Sequence, residues 1–304
     1  MSRRRARSLA TLVVALGIGG CRGGAESRAE PTAVSAPAPA APATEPPRPA
    51  ATTDAGDGGV SSEAPAVPAA QQWPAEPAPN VETDWCIEGV AALDADTCYV
   101  LPPQPTSTLL VYLHGIVPPE PTSPQKTKVE TVVKESALRA NVAALLPRGK
   151  QGLAGRGHDR WWGWPTTGKA YRRHAAELVA RIAEKQQKLE QIAGTLFARR
   201  YVAGSSSGAY FTALLALHGG MAADGFGAMS GGAGSKTEEL AGLAPKPFYV
   251  GYGTQDSVGP AARELAELLR GAGWPVRIAA HPLGHGAHQI YIDEALKFFG
   301  ESAR

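Results

Sequence analysis

Gly204-Ser205-Ser206-Ser207-Gly208 sets a hydroxyl between two glycines in the pattern G-x-S-x-G. A serine hydroxyl is a weak nucleophile at neutral pH, so chemistry at Ser206 requires a base, and that base requires an acid to orient it. Asp256 closes the run Phe248-Tyr-Val-Gly-Tyr-Gly-Thr-Gln-Asp256, and His285 stands inside His281-Pro-Leu-Gly-His285-Gly-Ala-His288. Acyl transfer by such a set also needs backbone N–H donors fixed before negative charge develops. Ser207, directly after the nucleophile, supplies one amide. The other is expected from Leu113-His114-Gly115-Ile116, with Ile116 first and Gly115 next, while His114 is expected to stack beneath that loop.

With 35 Gly in the chain, composition alone produces this pattern readily, so its setting must decide. Tyr201-Val-Ala203 has strand character immediately before, and Ala209-Tyr-Phe211 opens a helix immediately after. A hydroxyl on a tight strand-to-helix turn projects clear of a sheet, and flanking glycines permit a strained backbone there. A Gly/Ser loop that merely caps the helix is the alternative.

The surrounding elements alternate. Strands are expected at 108–113, 142–146, 200–204, 225–229, 247–251 and 276–280. Helices are expected at 126–140, 171–193, 207–218, 260–271 and 290–299. Thr108-Leu-Leu-Val-Tyr-Leu113 is apolar almost throughout, as a strand covered on both faces must be. This rhythm specifies a mostly parallel sheet with helices on both faces, whose ligands bind beyond the carboxyl ends of the strands. Ser206, Asp256 and His285 each follow such an end.

The order Ser206, Asp256, His285 and the strand–elbow–helix around Ser206 resemble the α/β-hydrolase superfamily over roughly residues 98–300. Motif by motif, the chain is similar to secreted esterases of the polyhydroxybutyrate-depolymerase and feruloyl-esterase type. Their small-residue strand looks like Gly225-Phe-Gly-Ala-Met229-Ser-Gly-Gly232, and their base sits in a Gly-His-Gly turn. The resemblance implies an α/β-hydrolase fold with little or no lid domain, no cofactor, and catalysis by Ser206, His285 and Asp256. The chain departs from the multi-glycine oxyanion loop, because Val117-Pro118-Pro119 follows Ile116.

Several neighbours compete for roles. His288 is the fallback base, and Asp224 or Asp159 the fallback acid. The histidines around 285 make a poor metal set, because Pro282, Gly284 and Gly286 keep them off one helical face. Trp161, Trp162 and Trp164 form either a substrate wall on the carboxyl edge or a hydrophobic plug beneath the loop. Asp94-Ala-Asp96 is expected to be a turn.

The N-terminal third has a different character. Residues 1–20 combine basic residues with a short apolar run, and Ile18-Gly-Gly-Cys21 resembles a bacterial lipobox. The run is too short to span a bilayer, which needs about 20 residues. The resemblance implies a lipoprotein signal peptide and lipidation of Cys21. An ordinary cleaved signal peptide is the alternative. Arg22 in place of aspartate points to the outer membrane. Between Arg22 and Asn80 lie 12 Pro and 17 Ala with a single aromatic, a disordered Ala/Pro-rich tether over 21–80 that leaves 81–304 as the hydrolase domain. Removing the four leader arginines turns the formal +2 into 26 basic against 28 acidic residues, so the charge does not mark a nucleic-acid surface. In an exported protein Cys86 and Cys98 are expected to form a disulfide, with two buried thiols the alternative.

The resulting expectation is a membrane-anchored serine hydrolase acting on small or polymer-borne esters. A serine peptidase on the same fold and a non-catalytic surface binding protein are the competing readings.

Overall fold

The computed structural model describes Trp73, Val81 and residues 83–303, except 121, 156 and 234–241. The expected signal peptide, Cys21 and nearly all of the expected tether lie outside the described residues. Trp73, inside the expected tether, donates from Nε1 to the Pro102 carbonyl at 2.6 Å and packs against the core. Ordered packing therefore starts before residue 81.

The elements run β1 (Ala91–Asp94), β2 (Thr97–Val100), β3 (Thr108–Leu113), α1 (Pro124–Ala140), β4 (Ala143–Pro147), β5 (Lys150–Gln151), β6 (Trp162–Gly163) and α2 (Gly168–Ala193). They continue with β7 (Arg199–Ser205), α3 (Ser207–Leu217), β8 (Gly225–Met229), β9 (Phe248–Gly253), α4 (Gly259–Gly271), β10 (Val276–His281) and α5 (Gln289–Ser302). Eight strands form one sheet in the order β1-β2-β4-β3-β7-β8-β9-β10. From β4 to β10 the pairing is parallel; β1 and β2 add an antiparallel edge.

Alternation within the strands builds two cores. Leu109, Val111 and Leu113 face one layer with α2, α3 and α4; Leu110 and Tyr112 face the other with α1 and α5. This explains why β3 is apolar at successive positions: neither face meets water. The described helices all pack against the sheet.

Sequence periodicity locates the main elements and misplaces some ends. The apolar stripe of α2 begins at Tyr171, but Thr167 caps the helix by accepting from the Ala170 amide, so the helix starts at Gly168. The β1–β2 hairpin escapes periodicity because each strand has only four residues; Asp94-Ala-Asp96 is its turn, held by an ion pair from Lys185 on α2. The cysteines do form a disulfide, Cys86–Cys98, which ties the segment before β1 to β2. Beside it Glu130 of α1 is buried, accepts from the Ile87 amide at 2.7 Å and pairs with buried Lys126 at 3.5 Å. Leaving either of these two charges alone would be costly, so they fix the N-terminal segment on α1.

Candidate active site

Ser206 sits between β7 and α3 with φ 52° and ψ −119°, a left-handed conformation that costs a non-glycine residue roughly 1–3 kcal/mol. The flanking glycines are sterically required. A Cβ on Gly208 would lie 2.0 Å from the Leu113 carbonyl oxygen, and one on Gly204 would lie 2.7 Å from the same oxygen. The elbow is thus wedged against the end of β3. Its backbone is pinned when the Ser206 amide donates to Met229 O at 3.0 Å. The Ser206 side chain makes no cap bond to α3, which separates it from a simple capping serine.

The hydroxyl has another partner. Ser206 Oγ lies 2.9 Å from His285 Nε2, and His285 Nδ1 lies 3.1 and 3.0 Å from the two carboxylate oxygens of Asp256. The Asp256 side chain is fully covered and also accepts from the Val258 amide at 3.1 Å. A buried carboxylate on Nδ1 fixes the tautomer that presents Nε2 as an acceptor to the hydroxyl. The other candidates lie elsewhere. His288 meets the Gly284 carbonyl at 3.1 Å and packs edge-on to Tyr291, while Asp224 accepts from the Arg200 amide near the amino end of β7.

Two loops carrying acid and base are laced together. Thr254 N donates to His281 O at 2.7 Å and Gln255 N to Leu283 O at 3.1 Å. Gly253 permits this approach, since a Cβ there would lie 2.0 Å from Leu283 O. Ser230, at φ 52° after β8, holds the base loop from the other side: its hydroxyl donates to Gly286 O at 3.2 Å. Sequence reasoning assigned Ser230 no role, and a serine beside two glycines gave no signal of one.

The loop expected to supply the second oxyanion donor is held by His114. Its Nδ1 meets the Gly115 carbonyl at 2.5 Å, and its Nε2 accepts from the Gly149 amide at 2.8 Å. In a trans peptide the carbonyl and the following N–H point in opposite directions. Holding Gly115 O toward His114 therefore turns the Ile116 N–H away from it. Among the described residues neither the Ile116 amide nor the Ser207 amide has a hydrogen-bond acceptor in the protein. Gly115 packs directly on the elbow, where an added Cβ would lie 3.1 Å from Ser206 Cβ. Burial holds the His114 imidazole well below its ordinary value, down to about 4, so it is neutral with Nδ1 as donor and Nε2 as acceptor.

No family model matches the chain, and neither does any curated protein. Solved structures do. A carboxylesterase of Bacillus cereus superposes with TM-score 0.52 at 17% identity, covering 71% of this chain and 95% of its own. YahD with malic acid gives 0.51 at 17% identity over 68% and 98%, and esterase PE8 gives 0.50 at 18% over 67% and 96%. The fold is the α/β-hydrolase fold. At these identities the likeness is one of architecture, and the chemistry must be argued from the side chains.

In this fold the carboxyl edge of the sheet holds a cavity of about 590 Å³, bordered by Ser206, His285, Ile116, Val117, Val129 and Trp161. The three tryptophans do not act as one wall. Trp161 lines the cavity, with His158 edge-on at 4.5 Å. Trp162 turns away, because its backbone pairs with Val117 and Gln151 and its ring is covered by Arg148 at 4.2 Å. Trp164 is fully buried between His114 and Phe211, stacked on the latter at 5.6 Å. The wall is therefore Trp161 alone, and the plug is Trp164. Trp162 is fixed by its pairing in β6, whereas Trp161 and Trp164 flank that short strand.

Proposed function

We propose that the chain is a serine hydrolase of carboxylic esters. The continuous hydrogen-bonded line from Ser206 through His285 to Asp256 carries this reading. Ser206 Oγ attacks the ester carbonyl while His285 Nε2 takes its proton, and Asp256 stabilises the resulting imidazolium. The amides of Ile116 and Ser207 stabilise the tetrahedral oxyanion. As that intermediate collapses, His285 returns the proton to the departing alcohol and leaves an acyl group on Ser206. Water activated by His285 then releases the acid.

The described helices leave the cavity without a helical lid, which supports soluble or polymer-borne esters of the kind handled by the polyhydroxybutyrate-depolymerase and feruloyl-esterase type. The lipobox-like Ile18-Gly-Gly-Cys21 and the Ala/Pro-rich segment support export, lipidation at Cys21 and display from a bacterial membrane, the outer membrane by the residue after the cysteine. The Cys86–Cys98 bridge is consistent with an oxidising compartment.

Labelling of the full-length protein with a fluorophosphonate, alongside turnover of esters and matched anilides, tests the activity. Labelling and ester turnover should both vanish in Ser206→Ala with the fold retained by circular dichroism. Preference for the anilides would make the protein a peptidase, and a folded protein that neither labels nor turns over ester would overturn the reading.

A further inference from the structure

The cavity beside Ser206 joins an apolar wall to one unmatched charge. Ile116, Val117, Val129 and Trp161 supply the apolar side. Lys128 reaches into the same cavity from α1, and its Nζ lies 3.9 Å from a Cβ built on Gly286, the residue after the base. The first turns of α1 put two lysines to different uses. Lys126 is buried and paired with Glu130, whereas Lys128 is exposed and has no carboxylate partner among the described residues. No Asp or Glu is among the described residues lining the cavity, and Asp256 is covered behind His285. A bound carboxylate would therefore meet a cation and no opposing acid.

Building on the serine-hydrolase reading, we propose that this site selects esters that carry a carboxylate, and that Lys128 is the residue that recognises it. The apolar body of such a substrate lies against Trp161 and Ile116, and its anionic end reaches Lys128 at the mouth. Lys128 takes no part in bond making. It sets which ester binds, so its effect belongs in KM and is screened by salt.

The test uses the full-length protein and matched ester pairs of which one member carries a carboxylate and the other is neutral. On the acyl side, the 4-nitrophenyl monoester of glutarate is compared with 4-nitrophenyl pentanoate. On the alcohol side, 3-acetoxybutyrate is compared with its methyl ester. The anionic member of at least one pair should have the higher kcat/KM by about two- to fivefold at low salt, a size expected of an exposed ion pair. The pair that responds identifies which side of the ester bears the charge. Lys128→Gln should remove the preference, the loss falling on the KM of the anionic member; Lys128→Glu should reverse it. Equal or better use of both neutral members, or a preference that survives Lys128→Gln, would overturn the proposal while leaving the hydrolase reading intact. Binding of the same esters to Ser206→Ala, by NMR titration, measures recognition without turnover. Tighter binding of an anionic member that depends on Lys128 supports the proposal even if hydrolysis fails, and equal binding of all four overturns it.

Discussion

The ring of Trp85 lies 5.8 Å from that of His114, so the residue next to Cys86 packs on the residue that holds the Gly115–Ile116 loop. Trp85 is also flanked by Lys126 and Arg148, at 5.2 and 5.1 Å from its ring, and meets Trp162 edge-on. The N-terminal segment is thereby a buttress behind the candidate active site.

Breaking the bridge should consequently affect both stability and turnover. A disulfide closing a loop of 12 residues contributes about 3 kcal/mol in the chain-entropy picture. The Cys86→Ser/Cys98→Ser protein, or the native protein treated with reductant, should unfold at a lower temperature. It should also turn over esters several-fold more slowly well below that temperature, because Trp85 no longer holds His114 from behind. Thermal unfolding and steady-state kinetics on the same samples check this. Unchanged kcat with a lowered Tm would show that the buttress serves stability alone.

Trp161 and Trp164 offer a sharper contrast, because they are three residues apart and only Trp164 is fully buried, Trp161 being partly open to the cavity. Trp164 fills space between His114 and Phe211, and truncating a buried aromatic to alanine costs about 3–5 kcal/mol. Trp164→Ala should lose much of its stability. Trp161→Ala should unfold within a degree or two of the native protein and instead show a raised KM for esters with bulky apolar groups. Urea titrations and substrate series for the two variants settle which indole meets substrate; a large stability loss in Trp161→Ala would remove it from the wall.

What could be read beforehand follows the physics of each feature. The parallel sheet was legible because strands buried on both faces are apolar at nearly every position, as β3 is from Leu109 onward. Ser206, Asp256 and His285 were legible as candidates because each follows the end of a strand, with glycines marking the tight turns around Ser206 and His285. The tryptophan cluster stays undivided between wall and plug in the sequence because three indoles within four residues look alike there, and only tertiary packing decides which faces the cavity. The contribution of Ser230 depends on a left-handed backbone after β8, and the buried Lys126–Glu130 pair on which surface of α1 the N-terminal segment covers. Both are tertiary facts without a local signature.

The buried His114 makes stability depend on pH in a definite direction. Desolvation, reinforced by the nearby Arg148 and Arg181 cations, holds its imidazole down to about 4, against 6.5 for the exposed group. Between these values the unfolded chain binds a proton that the native protein does not, so stability rises with pH across that interval. The contribution is complete above about 6.5, is lost as pH falls toward 4, and amounts to about 3 kcal/mol over the full interval. The structural cause is visible at Nε2. Once protonated there, His114 would present a donor to the Gly149 amide, itself a donor, 2.8 Å away. Carboxylates also titrate at the lower end, so the comparison is with His114→Asn, which cannot take up that proton. Unfolding free energies from urea titrations between pH 4.5 and 7.5 should rise more steeply with pH in the native protein than in His114→Asn. Equal slopes would mean that another group takes up the proton and that His114 is not held neutral by its surroundings.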